Sequence, residues 1–306
     1  MTDSLPMPVT APLTPAQRTQ LFNLVRRAAK AEIMPRFRQL ATYQITEKAG
    51  PQDLVTEADT AAEAMITRGL QASFPHALIV GEEAASANPD LMDKIAEAEL
   101  CFTIDPVDGT WNYAKGLPLF GVMVSVLRFG RPSFGLLYDP VLNDIVWADA
   151  ENPAQIQLPR RTKREIHTSK GGALSSLNGF LPLFLIPEDK RAQTAAALPK
   201  FGRVWSLRCA CHEFRTLAQG EVDFVLFAKL TPWDQPAGAI VTQKAGGHVA
   251  MLDGSDYRGD MRKGYLLAAS DETTWKRVRD VFDFLLDPAP PETNEFPGEL
   301  AVDNDA

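Results

Sequence analysis

The hexapeptide Asp105-Pro106-Val107-Asp108-Gly109-Thr110 directly follows the apolar run 100–104. Two carboxylates three residues apart, on a turn at a strand end, can converge on one point. Pro106 fixes the turn, and Gly109 lets the backbone approach a ligand closely. A helical turn starting after Gly109 would aim the N–H groups of Gly109 and Thr110 at the same place. Helix N-termini hold phosphate through such groups. A carboxylate pair beside an anion-binding turn repels the anion, and a divalent cation between them resolves that conflict. The plain alternative is an exposed turn, Asp-Pro followed by Asp-Gly.

Three other acidic segments join this one. Gly81-Glu82-Glu83 follows the apolar run 77–80, although adjacent acids are common on exposed loops. Asp53 opens the stretch Asp-Leu-Val-Thr-Glu-Ala-Asp, in which Thr56 and Asp59 fit a helix capping box that leaves Asp53 unexplained. Trp233-Asp234 opens a helix, where Asp234 has an alternative role as N-cap.

The surrounding pattern supplies elements to position these groups. Thr14 and Pro15 predict a helix start, with Leu21, Leu24, Val25, Ala28 and Ala29 on its apolar face and Pro35 ending it. A second helix is expected from Thr56 to Ser73. Strands are expected at 77–80, 100–104, 120–127, 133–138 and 145–148, the last three as an antiparallel meander. The second half alternates: strands at 180–186, 203–207 and 222–228, helices at 188–198, 211–219, 234–245 and 272–285. These readings predict an α+β N-terminal lobe over 14–155, carrying most of the acids, and an α/β C-terminal lobe over 156–287. Residues 1–13 and 288–306 are expected to be disordered arms.

The chain has 306 residues, 45% apolar, with a formal net charge of −8. Nucleic-acid binding is not expected from that charge, and the basic stretch 160–164 reads as a solvated loop. Cys101, Cys209 and Cys211 are too few and too poorly partnered for a zinc site or a disulfide framework. No apolar run approaches the length of a membrane span, and no signal peptide is evident, so the expected location is cytoplasmic.

Taken in order, the acidic segments resemble the inositol monophosphatase family. That superfamily of lithium-sensitive, magnesium-dependent phosphatases includes bisphosphate nucleotidases, histidinol-phosphate phosphatases and fructose bisphosphatases. The resemblance rests on Asp105-Pro-Val-Asp-Gly-Thr110 and on Trp233-Asp-Gln-Pro-Ala-Gly238, followed by Ala245-Gly246-Gly247. It implies a layered αβαβα sandwich that hydrolyses a small phosphate monoester, without a covalent intermediate. It implies two or three Mg²⁺ per site, inhibition by Li⁺, and a possible homodimer. Glu82, Asp105 and the carbonyl of Val107 would hold one ion, and Asp105, Asp108 and Asp234 a second. Asp53 and Thr110 would orient and deprotonate the attacking water, with Glu82 nearby. The N–H groups of Gly109 and Thr110 would hold phosphate oxygens.

Two departures from the family pattern fall on the leaving-group side. The family's sugar-binding Glu, seven residues before the late metal Asp, is Phe227 here. The family's Gly-(Ser/Thr)-Ala-Ala is Arg208-Cys209-Ala210-Cys211, which places Arg208 and Ala210 among the substrate contacts. Arg208 could clash with inositol or bind a second anionic group. The alternatives within the superfamily are a histidinol-phosphate phosphatase and a 3′,5′-bisphosphate nucleotidase. A non-catalytic metal-binding regulatory protein is the alternative outside it.

Overall fold

The computed structural model describes residues 13–40, 45–50, 53–159 and 163–286. Of the expected arms at 1–13 and 288–306, all but Leu13 lies outside the described residues, as does most of the basic stretch 160–164, and Leu13 is buried.

The chain begins with helix α1 (Pro15–Ala28). Thr14 and Gln17 form a reciprocal capping box at its start, and a π-helical turn, Ala29–Ile33, continues it. A two-stranded hairpin follows, β1 (Ile45–Gly50) and β2 (Asp53–Thr56), then α2 (Glu57–Ser73). β3 (Leu78–Gly81), the short helices α3 (Glu82–Ala87) and α4 (Asp90–Asp93), β4 (Cys101–Asp108) and α5 (Thr110–Ala114) come next. The meander is β5 (Gly121–Arg128), β6 (Arg131–Asp139) and β7 (Asp144–Asp149), extended by β8 (Gln155–Gln157) and β9 (Arg164–Glu165). β3 to β9 form one seven-stranded sheet in sequence order, parallel between β3 and β4 and antiparallel elsewhere. The first sheet therefore runs about ten residues past 155.

The second sheet has strand order β11-β10-β12-β14-β13. It is built from β10 (Asn178–Phe180), β11 (Arg203–Trp205), β12 (Phe224–Phe227), β13 (His248–Met251) and β14 (Leu266–Ala269). The interleaved helices are α6 (Glu188–Ala197), α7 (Ala210–Ala218), α8 (Pro236–Lys244) and α9 (Glu272–Phe282). β10 is shorter than the apolar run 180–186 predicts. Pro182 removes a ladder donor, and the chain turns into a 3₁₀ segment at Leu183–Leu185.

Strand alternation builds the layers. Phe102, Val124, Leu136 and Ile145 face α1 and α2, joining Val25, Ala62 and Ile66. Met123, Leu137 and Val146 face the other way, onto Cys211, Phe214 and Leu217 of α7 and Val241 of α8. Val225 and Ala268 of the second sheet complete that middle core. On the outer face Phe224, Leu226 and Leu267 pack against Trp275, Val278 and Phe282 of α9. The order is helix, sheet, helix, sheet, helix, the layered sandwich expected. Among the described residues no helix is long and apolar enough to cross a membrane.

Candidate active site

β4 is buried along its whole length and carries Asp105 and Asp108 at its C-terminal end. On a regular strand, residues three apart point to opposite faces. Here the pairing runs Asp105 to Met123 and Asp108 to Gly121, so three steps on β4 oppose two on β5. This irregularity turns both carboxylates to one side. Both acids thus lie within a bulged strand, not on the turn expected from the sequence.

Asp234 arrives from the start of α8. The N-cap position of that helix is Gln235, not Asp234. Gln235 accepts from Thr231 N–H at 2.8 Å and donates to Lys229 O at 3.2 Å, which fixes the loop ahead of the helix. One carboxylate oxygen from each of Asp105, Asp108 and Asp234 lies within 4.8 Å of the others. Burial raises the pKa of all three. Glu82, Asp108 and Asp234 push Asp105 up further, and Asp108 stands at about 7. Lys229 and Lys48 offset part of the charge at Asp234, but the burial of these three close carboxylates outweighs them and keeps all three pKa values raised.

Asp108 is also held by the start of α7. Cys211 N–H donates to its Oδ2 at 2.5 Å, and the Cys209 thiol at 3.0 Å. Ala210 is the first residue of that helix, so its N–H points toward the same carboxylate. Asp105 Oδ1 accepts from Val107 N–H at 3.0 Å.

Glu82 is the first residue of α3, and Glu63 sets that helix. The Glu63 carboxylate accepts from Glu83 N–H at 2.8 Å and Ala84 N–H at 2.9 Å. Glu63 lies four residues after Asp59, on the same face of α2. Burial lifts Glu82 to about 8, partly opposed by Lys48. Lys48 donates to Glu82 at 2.9 Å and to Glu83 at 2.6 Å. Burial pulls the Lys48 ammonium down, but the two glutamates outweigh it and hold its pKa above the ordinary value.

Gly109 is the N-cap of α5 at φ +85. A Cβ there would lie 2.9 Å from Leu119 O and 3.1 Å from Cys209 Cβ, so both the backbone and the space require glycine. Asn112 ties this turn to the second half of the chain, donating to Leu119 O at 2.9 Å and Leu207 O at 2.8 Å.

The Thr110 hydroxyl lies 3.0 Å from Val107 O and 3.1 Å from Asp59 Oδ1. Asp59 is thus a carboxylate partner of Thr110, a part expected of Asp53. Asp53 lies on β2, and its side chain is outside the described residues. Asp59 is fully buried and does two things at once. Its Oδ2 accepts from Thr56 N–H at 2.9 Å and Thr56 hydroxyl at 2.6 Å, closing the capping box of α2. Its other oxygen faces Thr110. Burial drives its pKa to about 7 against those hydrogen bonds. The spacing of Thr56 and Asp59 accounts for the cap and conceals the second contact, which spans 51 residues. Glu63, Lys48 and Asn112 were not singled out in the sequence. Arg208 sits beside Cys209 with its guanidinium 4.1 Å over the Trp111 ring.

The donor set around the triad is carboxylate and carbonyl oxygen, the hard chemistry that Mg²⁺ takes. Burial keeps the Cys209 pKa well above the usual thiol range, so its sulfur is a proton donor to Asp108.

The sequence profile of the inositol monophosphatase family matches residues 16–282. A Nus factor SuhB of Vibrio cholerae is 29% identical over 264 residues, covering 82% of this chain and 91% of that protein. A fructose-1,6-bisphosphatase/inositol-1-monophosphatase of Thermotoga maritima is 28% identical over 214 residues, covering 69% and 77%. A solved Thermotoga maritima IMPase superposes with a TM-score of 0.70 at 22% identity, over 88% of this chain and 99% of that one. An inositol monophosphatase from Zymomonas mobilis does so at 0.70 and 20% identity, over 87% and 95%. At those identities the two structures show a shared fold.

Proposed function

The chain belongs to the inositol monophosphatase family, and on that premise we propose that it hydrolyses a small phosphate monoester with Mg²⁺ as cofactor. The observation that carries this reading is the buried convergence of Asp105, Asp108 and Asp234 beside the Gly109–Thr110 turn. Glu82, Asp105 and Val107 O on one side, and Asp105, Asp108 and Asp234 on the other, are the ligands we assign. Bound there, the cation would supply the Lewis acidity and positive charge that phosphate-ester hydrolysis draws on.

The remaining roles belong to the chain itself. The Thr110 oxygen can accept a hydrogen bond from a water while its own proton faces Asp59. Asp59, near pKa 7, is matched to take up a proton at neutral pH. We therefore assign the base to Asp59 with Thr110. We assign phosphate oxygens to the N–H groups of Gly109, the N-cap of α5, and Thr110, its first residue. Cys211 N–H and the Cys209 thiol keep Asp108 aimed at the triad.

The test is phosphate release from a panel of monoesters with and without Mg²⁺, with Asp105→Asn as the blank. The panel holds inositol 1-phosphate, histidinol phosphate, 3′-phosphoadenosine 5′-phosphate and glycerol 2-phosphate. Mg²⁺-dependent release that the variant abolishes is the expected result. No release from any ester, with Mg²⁺ still raising the melting temperature, would favour the non-catalytic reading, for which the Nus factor name of one relative is the support.

A further inference from the structure

A cavity of about 240 Å³ opens at the C-terminal end of α5, the end opposite the Gly109–Thr110 turn. Its walls are Arg38, Leu40, Tyr113, Ala114, Lys115 and Gly116. Arg38 and Lys115 are exposed, and among the described residues neither side chain has an ion-pair or hydrogen-bond partner. Glu32 and Glu57 reach the same segment of chain but pair with Arg36, at 2.9 Å and 3.8 Å.

Arg38 holds φ at +60, a left-handed backbone that residues with a Cβ seldom adopt. The segment that carries it is pinned to α5. The Tyr113 hydroxyl donates to Ile33 O at 2.7 Å. The Phe37 ring lies 5.5 Å from that of Tyr113 and 4.8 Å from that of Phe120. Gly116, at φ +75, presents no side chain, and the stem of Arg38 lies against it. A Cβ there would stand 3.4 Å from Arg38 Cγ and 3.7 Å from its Nε. The guanidinium is thereby held next to the neighbour of Lys115. Backbone strain that the surroundings maintain points to a role for the side chain it presents.

Two cations facing one small cavity repel each other. Lys115 is the C-cap of α5, where the helix end favours one positive charge. The second cation has no such balance, and an anion between the two would supply it.

We propose that Arg38 and Lys115 bind one tetrahedral oxyanion, a phosphate or sulfate group, at a site distinct from the Gly109–Thr110 turn. A guanidinium offers a planar fork of donors and an ammonium three more, so the anion is satisfied from two sides. The cavity leaves room for part of its water shell, and bridging waters hold nearly as well as direct hydrogen bonds. The site uses no metal and does not rest on the phosphatase reading.

The test is calorimetric titration of the full chain with inorganic phosphate and with sulfate, in chelator. Sodium chloride at matched ionic strength is the blank. Without a divalent cation, Asp105, Asp108 and Asp234 repel an anion, which keeps the other end of α5 silent. The proteins are the wild type, Arg38→Asn, Lys115→Gln, the double variant Arg38→Asn/Lys115→Gln and the exchanged pair Arg38→Lys/Lys115→Arg. Asparagine accepts the left-handed backbone, so it removes the charge and keeps the turn. The wild type should bind saturably, with one anion per chain. Each single variant should weaken Kd by about fivefold to tenfold, and the double variant should abolish binding. The exchanged pair should retain most of it. Glycerol 3-phosphate in parallel identifies the source: tighter binding of inorganic phosphate marks a free anion, and tighter binding of the ester marks a phosphorylated metabolite. No saturable binding by the wild type, or binding that the double variant leaves unchanged, overturns the proposal. If the double variant melts early in sodium chloride, the exchanged pair decides: retained binding supports the site, and lost binding removes it.

Discussion

Asp59 shows how a residue can satisfy a local rule and still serve a distant one. One oxygen completes a helix cap, and the other meets Thr110. Asp59→Asn keeps an oxygen for the cap but cannot take up a proton, so kcat should fall by about 10²–10⁴ with little change in melting temperature. Asp53→Asn, assayed in parallel, should leave kcat within a few-fold of wild type. A reversed pair of results would return the base to Asp53. The carboxylates also set how stability depends on pH. Asp59 and Asp108 near 7 and Glu82 near 8 all stand above their unfolded values of about 4. The folded state therefore binds these protons more tightly. The stability they contribute is full below about pH 4 and is lost as pH rises through 7 to 8. In chelator the melting temperature should fall between pH 5.5 and 8.5. Mg²⁺ should raise it most at the alkaline end, by about 2.7 kcal/mol of stability at a hundredfold excess over Kd. Asp105→Asn should flatten both curves.

Among the elements, the short ones hold the acids and are themselves held by longer neighbours. α3 has only six residues, and its N-terminus is fixed by Glu63 from α2. A Cβ on Gly81 would fall 2.2 Å from the Glu63 carboxyl carbon. Gly81→Ala should displace that carboxylate, cost about 1–3 kcal/mol and raise the Mg²⁺ concentration needed for half-maximal thermal stabilisation. An unchanged half-point would mean that Glu82 does not depend on this cap. Much of this scale was legible in the sequence. Thr14 with Pro15 and Thr56 with Asp59 mark helix starts because capping is settled within four residues. The bulge at Asp105–Asp108 was not legible, because it is defined only by what β5 places opposite.

In the whole molecule the middle helix layer is covered by both sheets, so an unpaired charge there is costly. Arg215 of α7 forms a buried ion pair with Asp144 of β7 and donates to Leu137 O at 2.8 Å. Arg215→Met should destabilise by about 3–5 kcal/mol, because Asp144 is then left charged and buried. Adding Asp144→Asn should recover much of that loss, and denaturant unfolding of the two variants measures both. A loss that the second substitution does not reduce would place the effect in packing and not in charge.

By itself the sequence indicated most of the longer helices and strands and the convergence of Asp105 with Asp108, while the layered sandwich and the place of Asp234 came from the resemblance to the family. The first group follows from short-range spacing: period-two runs, capping pairs, and a Pro-Gly-punctuated strand end. The side on which each carboxylate emerges, the pairing of Thr110 with Asp59 and the left-handed backbone of Arg208, at φ +55, were decided only by the tertiary structure. Each depends on groups that the chain brings together from tens of residues away, and only packing fixes their distances.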